Sequence, residues 1–253
     1  MTLGILGGGL TGLTVAYHYG DDCEVLEANG VHGGLCFSPN YNGYPYDLGG
    51  HILFSQDEEV MEFVKKVLGD NIQQYRRNNK IWFNGRLIKY PFENGIAGLP
   101  EEDRARYVDD YYCDWVEFNP KNLKEWLYLR FGKAIADDYL IPYNEKLWKQ
   151  KADTMDWNWA DRRIPRPDVG DMRRVKRGMF IEGYKEQLHF YYPKRDGIMS
   201  LVSGINQRVK HMRLGWRVGS ITKDNGQWVV SKGEESRRYN KLVSTIPIPT
   251  LIN

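Results

Sequence analysis

The stretch Gly4–Leu13, GILGGGLTGL, followed from Glu24 by EVLEANGVHGGLCFS, decides how this chain is read. Leu3 to Gly7 is a short apolar strand, Leu10 to Tyr19 a helix and Cys23 to Glu27 a second strand, which together make a β-α-β unit with parallel strands. Gly7-x-Gly9-x-x-Gly12 falls where strand gives way to helix. Glycine there permits the tight turn, lets backbone approach a pyrophosphate, and leaves the helix N-terminus to offer free N–H groups to phosphate. Glu27 ends the next strand, placed to accept hydrogen bonds from a ribose hydroxyl and to repel a 2′-phosphate, which disfavours NADP. An ordinary strand-to-helix turn would need neither the acid nor its register.

Working outward, 253 residues with 42% apolar and 13% aromatic content suffice for a substantial core, in one large domain or two interleaved ones. Thirty-five Lys and Arg against 33 Asp and Glu leave a net charge of +2, which gives no electrostatic case for nucleic acid or an anionic membrane as the main partner. The three cysteines, Cys23, Cys36 and Cys113, are odd in number and show no CxxC spacing, against a disulfide framework or a zinc cluster. No apolar run reaches membrane-spanning length and no signal core opens the chain, so the expected location is the cytoplasm. The closing run KLVSTIPIPTLIN reads as a buried strand and its turn, the expected mark of an incomplete version of a longer protein.

Asp57 to Leu68 carries helical apolar spacing, and Lys80 to Phe92 has Asn84-Gly85 between two apolar runs, a hairpin signal. Pro100 to Trp148 reads as helical, with Pro142 ending or kinking a helix, whereas Lys151 to Gly178 reads as polar loops without regular structure. HFYYP reads as a strand, Gly197 to Met212 as a helix, Trp216 to Thr222 with Trp228 to Ser231 as a hairpin around Asn225-Gly226, and KLVSTIP as a strand returning to the first sheet. The expected fold is α/β, with a Rossmann-like FAD-binding domain (1–78 and 205–253), an antiparallel sheet substrate region (79–94 and 179–204) and an inserted helical domain (95–178).

The pair Gly33-Gly34 favours a flavin over a nicotinamide cofactor, because a plain NAD unit has no evident use for a second glycine pair after the acid. With it the chain resembles the FAD-dependent amine oxidase and protoporphyrinogen oxidase superfamily. Further blocks, YDLGGHILFS (Tyr46–Ser55), IWFNGRLIKYPFENGIAGLP (Ile81–Pro100), IADDYLIPYNEKLW (Ile135–Trp148), WADRRIP (Trp159–Pro165), YPKRDGIMSLVSGI and LVSTIP, are similar in order and spacing to UDP-galactopyranose mutases, the eukaryotic type especially. The resemblance covers nearly the whole chain.

It implies an isomerase that interconverts UDP-galactopyranose and UDP-galactofuranose on reduced FAD, through a bond between flavin N5 and the sugar, with NAD(P)H a candidate reductant. The implied cofactor residues are Gly7, Gly9, Leu10, Thr11, Gly12, Glu27, Ala28, Gly33, Gly34, Leu35, Gly49, Gly50 and His51. His51 matches the histidine against the flavin, and Arg163 the arginine that pairs with the substrate diphosphate, with Arg162 as the register alternative. A guanidinium suits that task because it forks two phosphate oxygens and stays charged. Tyr139, Tyr143, Asn144 and Trp148 match the uridine and sugar pocket.

The chain departs from those patterns in three places. Leu35 stands where the amine-oxidase branch has Arg, Glu93 where eukaryotic mutases tend to have Gln, and Met199 follows a shortened turn. Family members also continue past STIP with a second diphosphate arginine, substrate tyrosines and a helix that closes over the flavin, so the resemblance implies weak FAD binding and little or no catalysis by this chain alone. The alternatives are an FAD-dependent oxidase or desaturase of the protoporphyrinogen or phytoene type, and an inactive remnant that binds without catalysing. An NAD dehydrogenase lacks its catalytic residues here. Homo-oligomerisation stays open.

Overall fold

The computed structural model describes residues 1–111, 119–161, 163–164, 166–183 and 188–252; Cys113 and Arg162 lie outside the described residues. Contacts divide the chain into two units, Met1–Tyr75 with His189–Asn253, and Arg76–Leu188.

The first unit grows from the opening stretch. Strands β1 (Leu3–Leu6) and β2 (Cys23–Leu26) are buried at every position, the pattern of parallel strands covered on both faces. Two further parallel strands complete the sheet, β3 (Met212–Arg213) beside β2 and β4 (Lys241–Ser244) beside β1, so its order is β4-β1-β2-β3. In register, Leu3 faces Cys23 on one side and Lys241 on the other. Helix α1 (Leu10–Tyr19) turns Gly12, Leu13 and Ala16 inward. Leu13 then joins a core with Val64 and Leu68 from helix Glu58–Leu68 and Leu201, Val202 and Ile205 from helix Met199–Asn206. Helix Glu58–Leu68 starts where the sequence places it, because the Asp57 carboxylate caps the N–H groups of Glu59 and Val60 at 2.9 and 3.3 Å.

An antiparallel sheet of Ser220–Asp224, Gln227–Lys232 and Glu235–Tyr239 follows. Its first turn is the expected Asn225-Gly226, with φ of 49° and 83°, the left-handed pair that matches strand twist. The third strand is one that sequence periodicity missed, since ESRRY is mostly polar. Its last residue, Tyr239, lies on the parallel sheet: a Cβ at Gly4 would come within 2.5 Å of the ring, so only glycine admits it. The Tyr239 hydroxyl donates to Glu24 Oε2 at 2.6 Å while Arg213 Nε donates to Oε1 at 2.6 Å. Burial works to raise the pKa of Glu24, yet these two donors and the Arg213 charge hold it below the usual carboxylate range.

The second unit packs around Phe92, Tyr107, Trp126, Leu127, Phe131 and Ile135. Lys80–Phe83 and Arg86–Lys89 form the expected hairpin around Asn84-Gly85, both with positive φ (46° and 76°). Helix Leu123–Ile135 runs through a π turn, Ala136–Leu140, into helix Ile141–Trp148. Pro142 does not end the helical run: it lies in the first turn of Ile141–Trp148, directly after the π turn at which the helical register changes. The irregular position is Gly132 (φ 76°), where a Cβ would lie 2.7 Å from the Asp110 carbonyl oxygen.

A second correction concerns Lys151 to Gly178. Val169–Lys176 is a helix, capped by Asp168 through the Asp171 N–H at 2.7 Å and anchored by buried Met172 and Val175, two apolar positions three apart that the surrounding charges obscure.

Tyr239→Phe removes one donor from a buried carboxylate and is expected to cost about 1–3 kcal/mol at neutral pH. Because Glu24 titrates below its ordinary 4.5, stability drawn from its ionised form is present above that pH and lost below it. The difference between variant and parent in urea denaturation therefore narrows on acidification below about pH 4.

Candidate functional site

In the first unit Gly7, Gly9, Gly12, Glu27, Gly33 and Gly34 gather at the C-terminal ends of β1 and β2. Gly7 takes φ of 102° and its N–H donates to the Leu26 carbonyl at 2.9 Å. A Cβ on Gly12 would stand 2.0 Å from the Gly7 carbonyl oxygen, so helix and strand meet backbone to backbone. Gly9 precedes α1 without any side-chain cap, and the first helical bond runs from Leu13 N–H to Gly9 O. The N–H groups of Leu10, Thr11 and Gly12 precede it, in the part of a helix that has no internal acceptor.

The second glycine pair closes on the first. Gly33 N–H donates to Gly8 O at 2.8 Å, Gly9 and Gly33 form a parallel bridge, and a Cβ on Gly34 would lie 3.2 Å from Gly9 Cα. Glu27 has a structural role in this loop that its spacing did not reveal: it is buried, and its two oxygens accept from Gly8 N–H at 2.7 Å and Asn29 N–H at 2.8 Å. An ionised carboxylate has about four acceptor positions, so capacity for a ribose hydroxyl remains. Ala28 is half-buried beside it, whereas Leu35 is 83% exposed, an apolar side chain the protein leaves uncovered.

Gly49 and Gly50 are exposed, neither has positive φ, and a Cβ at either would meet nothing within 4 Å. The chain itself makes no demand for glycine there. His51 follows, with Nδ1 buried, without a hydrogen bond, and 3.5 Å from Asp47 Oδ2.

Asp47 is a residue that sequence reasoning missed. It accepts from Tyr192 hydroxyl (2.5 Å), Ser38 hydroxyl (2.7 Å) and Ile198 N–H (3.1 Å). Burial opposes its ionisation, but those donors win and hold it below the usual range. A carboxylate in an unpatterned loop carries no signal of this; only the fold brings residue 47 to residue 198.

In the second unit, Tyr139, Tyr143, Asn144, Trp148 and Arg163 all line one cleft of about 220 Å³, below the usual span for a whole drug-sized ligand and scaled to one moiety of a larger one. Its wall is a ladder of rings: Phe92 stacks on Tyr139 (4.4 Å, 7°), and Tyr139 on Tyr143 (5.6 Å, 13°), whose 43% exposure leaves a ring to stack on. Trp148 meets Trp159 edge-on at 5.2 Å. Asn144 is buried and donates to Leu140 O at 2.8 Å, so one amide hydrogen is spent inside its own helix. Arg163 is exposed and forms no ion pair among the described residues. Burial, then Tyr143 and Glu93, push the Tyr139 hydroxyl up, so it stays a neutral donor.

Glu93 lines the same cleft and is 3% exposed. Burial raises its carboxyl from 4.5 to about 7, opposed only by its own backbone N–H. No group of three or more His, Cys, Asp or Glu placed to hold a metal occurs among the described residues, and no described helix is long and apolar enough to cross a membrane.

A parallel α/β sheet with a double glycine loop at its strand ends defines a dinucleotide-binding flavoprotein fold. The chain belongs to the flavin containing amine oxidoreductase family, whose sequence profile matches residues 10–252. It is similar to a solved structure of reduced UDP-galactopyranose mutase, at 27% identity and TM-score 0.88, over 98% of this chain and 56% of that one. It also shares its fold with a putative protoporphyrinogen oxidase from Exiguobacterium sp. 255-15 (19% identity, TM-score 0.68, 98% of this chain and 60% of that one) and with cyclohexylamine oxidase from Brevibacterium oxydans IH-35A (17%, 0.61, 95% and 56%). The chain thus spans little more than half the length of these proteins. Family membership implies FAD. The first unit fits that group: glycine loops without Cβ atoms, open N–H groups at a helix start, and buried His32 Nε2 and His51 Nδ1 without hydrogen bonds.

Between pH 4.5 and about 7 the folded chain keeps a proton on Glu93 that the unfolded chain has lost, so stability falls as pH rises through that window. Glu93→Gln, which has no charge to bury, is expected to gain about 1–3 kcal/mol at pH 8 and nothing at pH 4, read as the difference in thermal unfolding at the two values.

Proposed function

We propose that this chain carries the FAD-binding and nucleotide-sugar-binding elements of a UDP-galactopyranose mutase-like isomerase. The observation that carries the reading is Arg163: a guanidinium without an ion pair among the described residues, on a cleft walled by stacked tyrosines. A planar base suits the exposed face of Tyr143, with Trp148 beside it, and a diphosphate suits Arg163, which binds two oxygens in a fork and holds its charge throughout. An amine substrate, itself a cation, has no use for such a group. The similarity to the reduced mutase structure supports the same reading.

In the first unit, the glycine loops with Leu10, Thr11, Glu27 and Ala28 would hold the adenosine and pyrophosphate end of FAD. Gly49, Gly50 and His51 would lie against its ring, where backbone without Cβ atoms admits a flat face. Reduced FAD supplies the nucleophile for exchange at the anomeric carbon. The protein's share is position and charge. Arg163 neutralises the diphosphate as it departs, and His51, with Asp47 3.5 Å from its Nδ1, offers a ring nitrogen as a hydrogen-bond partner.

Added UDP is expected to quench tryptophan fluorescence of the FAD-loaded protein, and Arg163→Ala to weaken that binding roughly 10- to 100-fold. UDP-galactofuranose turnover is expected only after dithionite reduction, with no reductant consumed per turnover. Flavin uptake without any response to UDP would instead favour an oxidase.

A further inference from the structure

The cleft holds one group that binding a base and a diphosphate does not by itself explain, a buried carboxyl with no side-chain partner among the described residues. Glu93 sits beside Phe92, whose ring begins the stack that continues through Tyr139 to Tyr143. It belongs to a one-turn helix, Phe92–Gly95, in which every residue is buried.

Among the described residues, no charge from the surrounding elements compensates it. The hairpin strand Arg86–Lys89 contributes Lys89, whose Nζ is taken by Glu182 at 2.9 Å. Helix Val169–Lys176 turns Met172 and Val175 to the core, while Arg174 pairs with Asp171 and Lys176 with Asp109 at 2.5 Å. Segment 136–148 offers the hydroxyls of Tyr139 and Tyr143, and the turn before Ile164 offers Arg163, which lines the cleft but is exposed. Tyr90 lines it as well, and no histidine does.

We propose that the Glu93 carboxyl gates nucleotide-sugar binding by its proton, reading the edge of the substrate's base with one donor and one acceptor. This rests on the nucleotide-sugar reading above. A neutral carboxyl presents O–H and C=O side by side, complementary to the carbonyl and N–H of a uracil edge, much as an amide would be. Ionised, the same group has two acceptors and no donor, so it turns a base carbonyl away. A ring stacked along the tyrosine wall presents such an edge, whereas sugar hydroxyls donate to a carboxylate and would favour the ionised form. The sign of the pH dependence therefore identifies what Glu93 reads. With burial placing the transition near neutrality, about 7, this gate operates across the physiological range.

The test is calorimetric titration of the full chain, loaded with FAD, with UDP-galactose between pH 6 and 8. UDP-galactose is preferred to UDP because its doubly esterified diphosphate does not titrate there. Affinity is expected to rise about tenfold from pH 8 to pH 6, and Glu93→Gln to bind at pH 8 as tightly as the parent does at pH 6, with no slope. Binding that is flat with pH in the parent, that tightens as pH rises, or that keeps its slope in Glu93→Gln overturns the gate while leaving the nucleotide-sugar reading intact. No binding at any pH overturns that reading, and the gate with it. The sign and midpoint of the parent's slope require no variant, so they decide the matter even if Glu93→Gln fails to fold.

Discussion

The first unit depends on backbone meeting backbone at its glycines. Gly12 presses on the Gly7 carbonyl, where a Cβ would collide, and Gly34 on Gly9 Cα, where one would be crowded in a backbone of positive φ. These contacts set the angle at which α1 leaves β1 and bring the second glycine loop alongside the first. Everything attributed to the cofactor end follows from that closeness: the open N–H groups at the helix start, the buried Glu27 fastening Gly8 and Asn29, and the bridge between Gly9 and Gly33. Glutamate in this position does two jobs, tying the loop it ends and leaving acceptor positions over.

The second unit solves a different problem. It buries a wall of aromatic rings and then leaves the last of them accessible. Phe92 is sealed, Tyr139 is half-sealed and Tyr143 is open on one side, so the cleft has a rigid floor and a receptive rim. Electrostatics grade the same way, from a buried carboxyl with no side-chain partner among the described residues to an exposed guanidinium. Such a gradient suits a ligand with an uncharged flat end and an anionic end.

Much of this was legible in sequence. The opening β-α-β unit declares itself through uniformly apolar strands and glycines at fixed offsets, and both Asn-Gly turns appear where their dipeptides lie, since left-handed backbone is a local demand. The five cleft residues come together because four share one helical stretch. What sequence concealed were contacts between distant residues. Asp47 holds Ile198 only after the chain returns, Tyr239 finds Glu24 across 215 positions, and strand Glu235–Tyr239 is too polar to announce itself. Pro142 misled for a related reason: its penalty applies to helix interiors, and a π turn just before it makes it an early residue of a new helix.

The parallel sheet also has a temporal consequence. Its two central strands leave the ribosome within the first 26 residues, but their outer neighbours, β3 and β4, arrive only with residues 212–244. The whole of Arg76–Leu188 is synthesised in between. The later-made unit can therefore mature first, while the earlier-made one waits with both strand edges open and Leu6 and Leu26 uncovered by Tyr239. A nascent chain stalled in that interval presents an unpaired sheet, and it is there that a chaperone would have the most to protect.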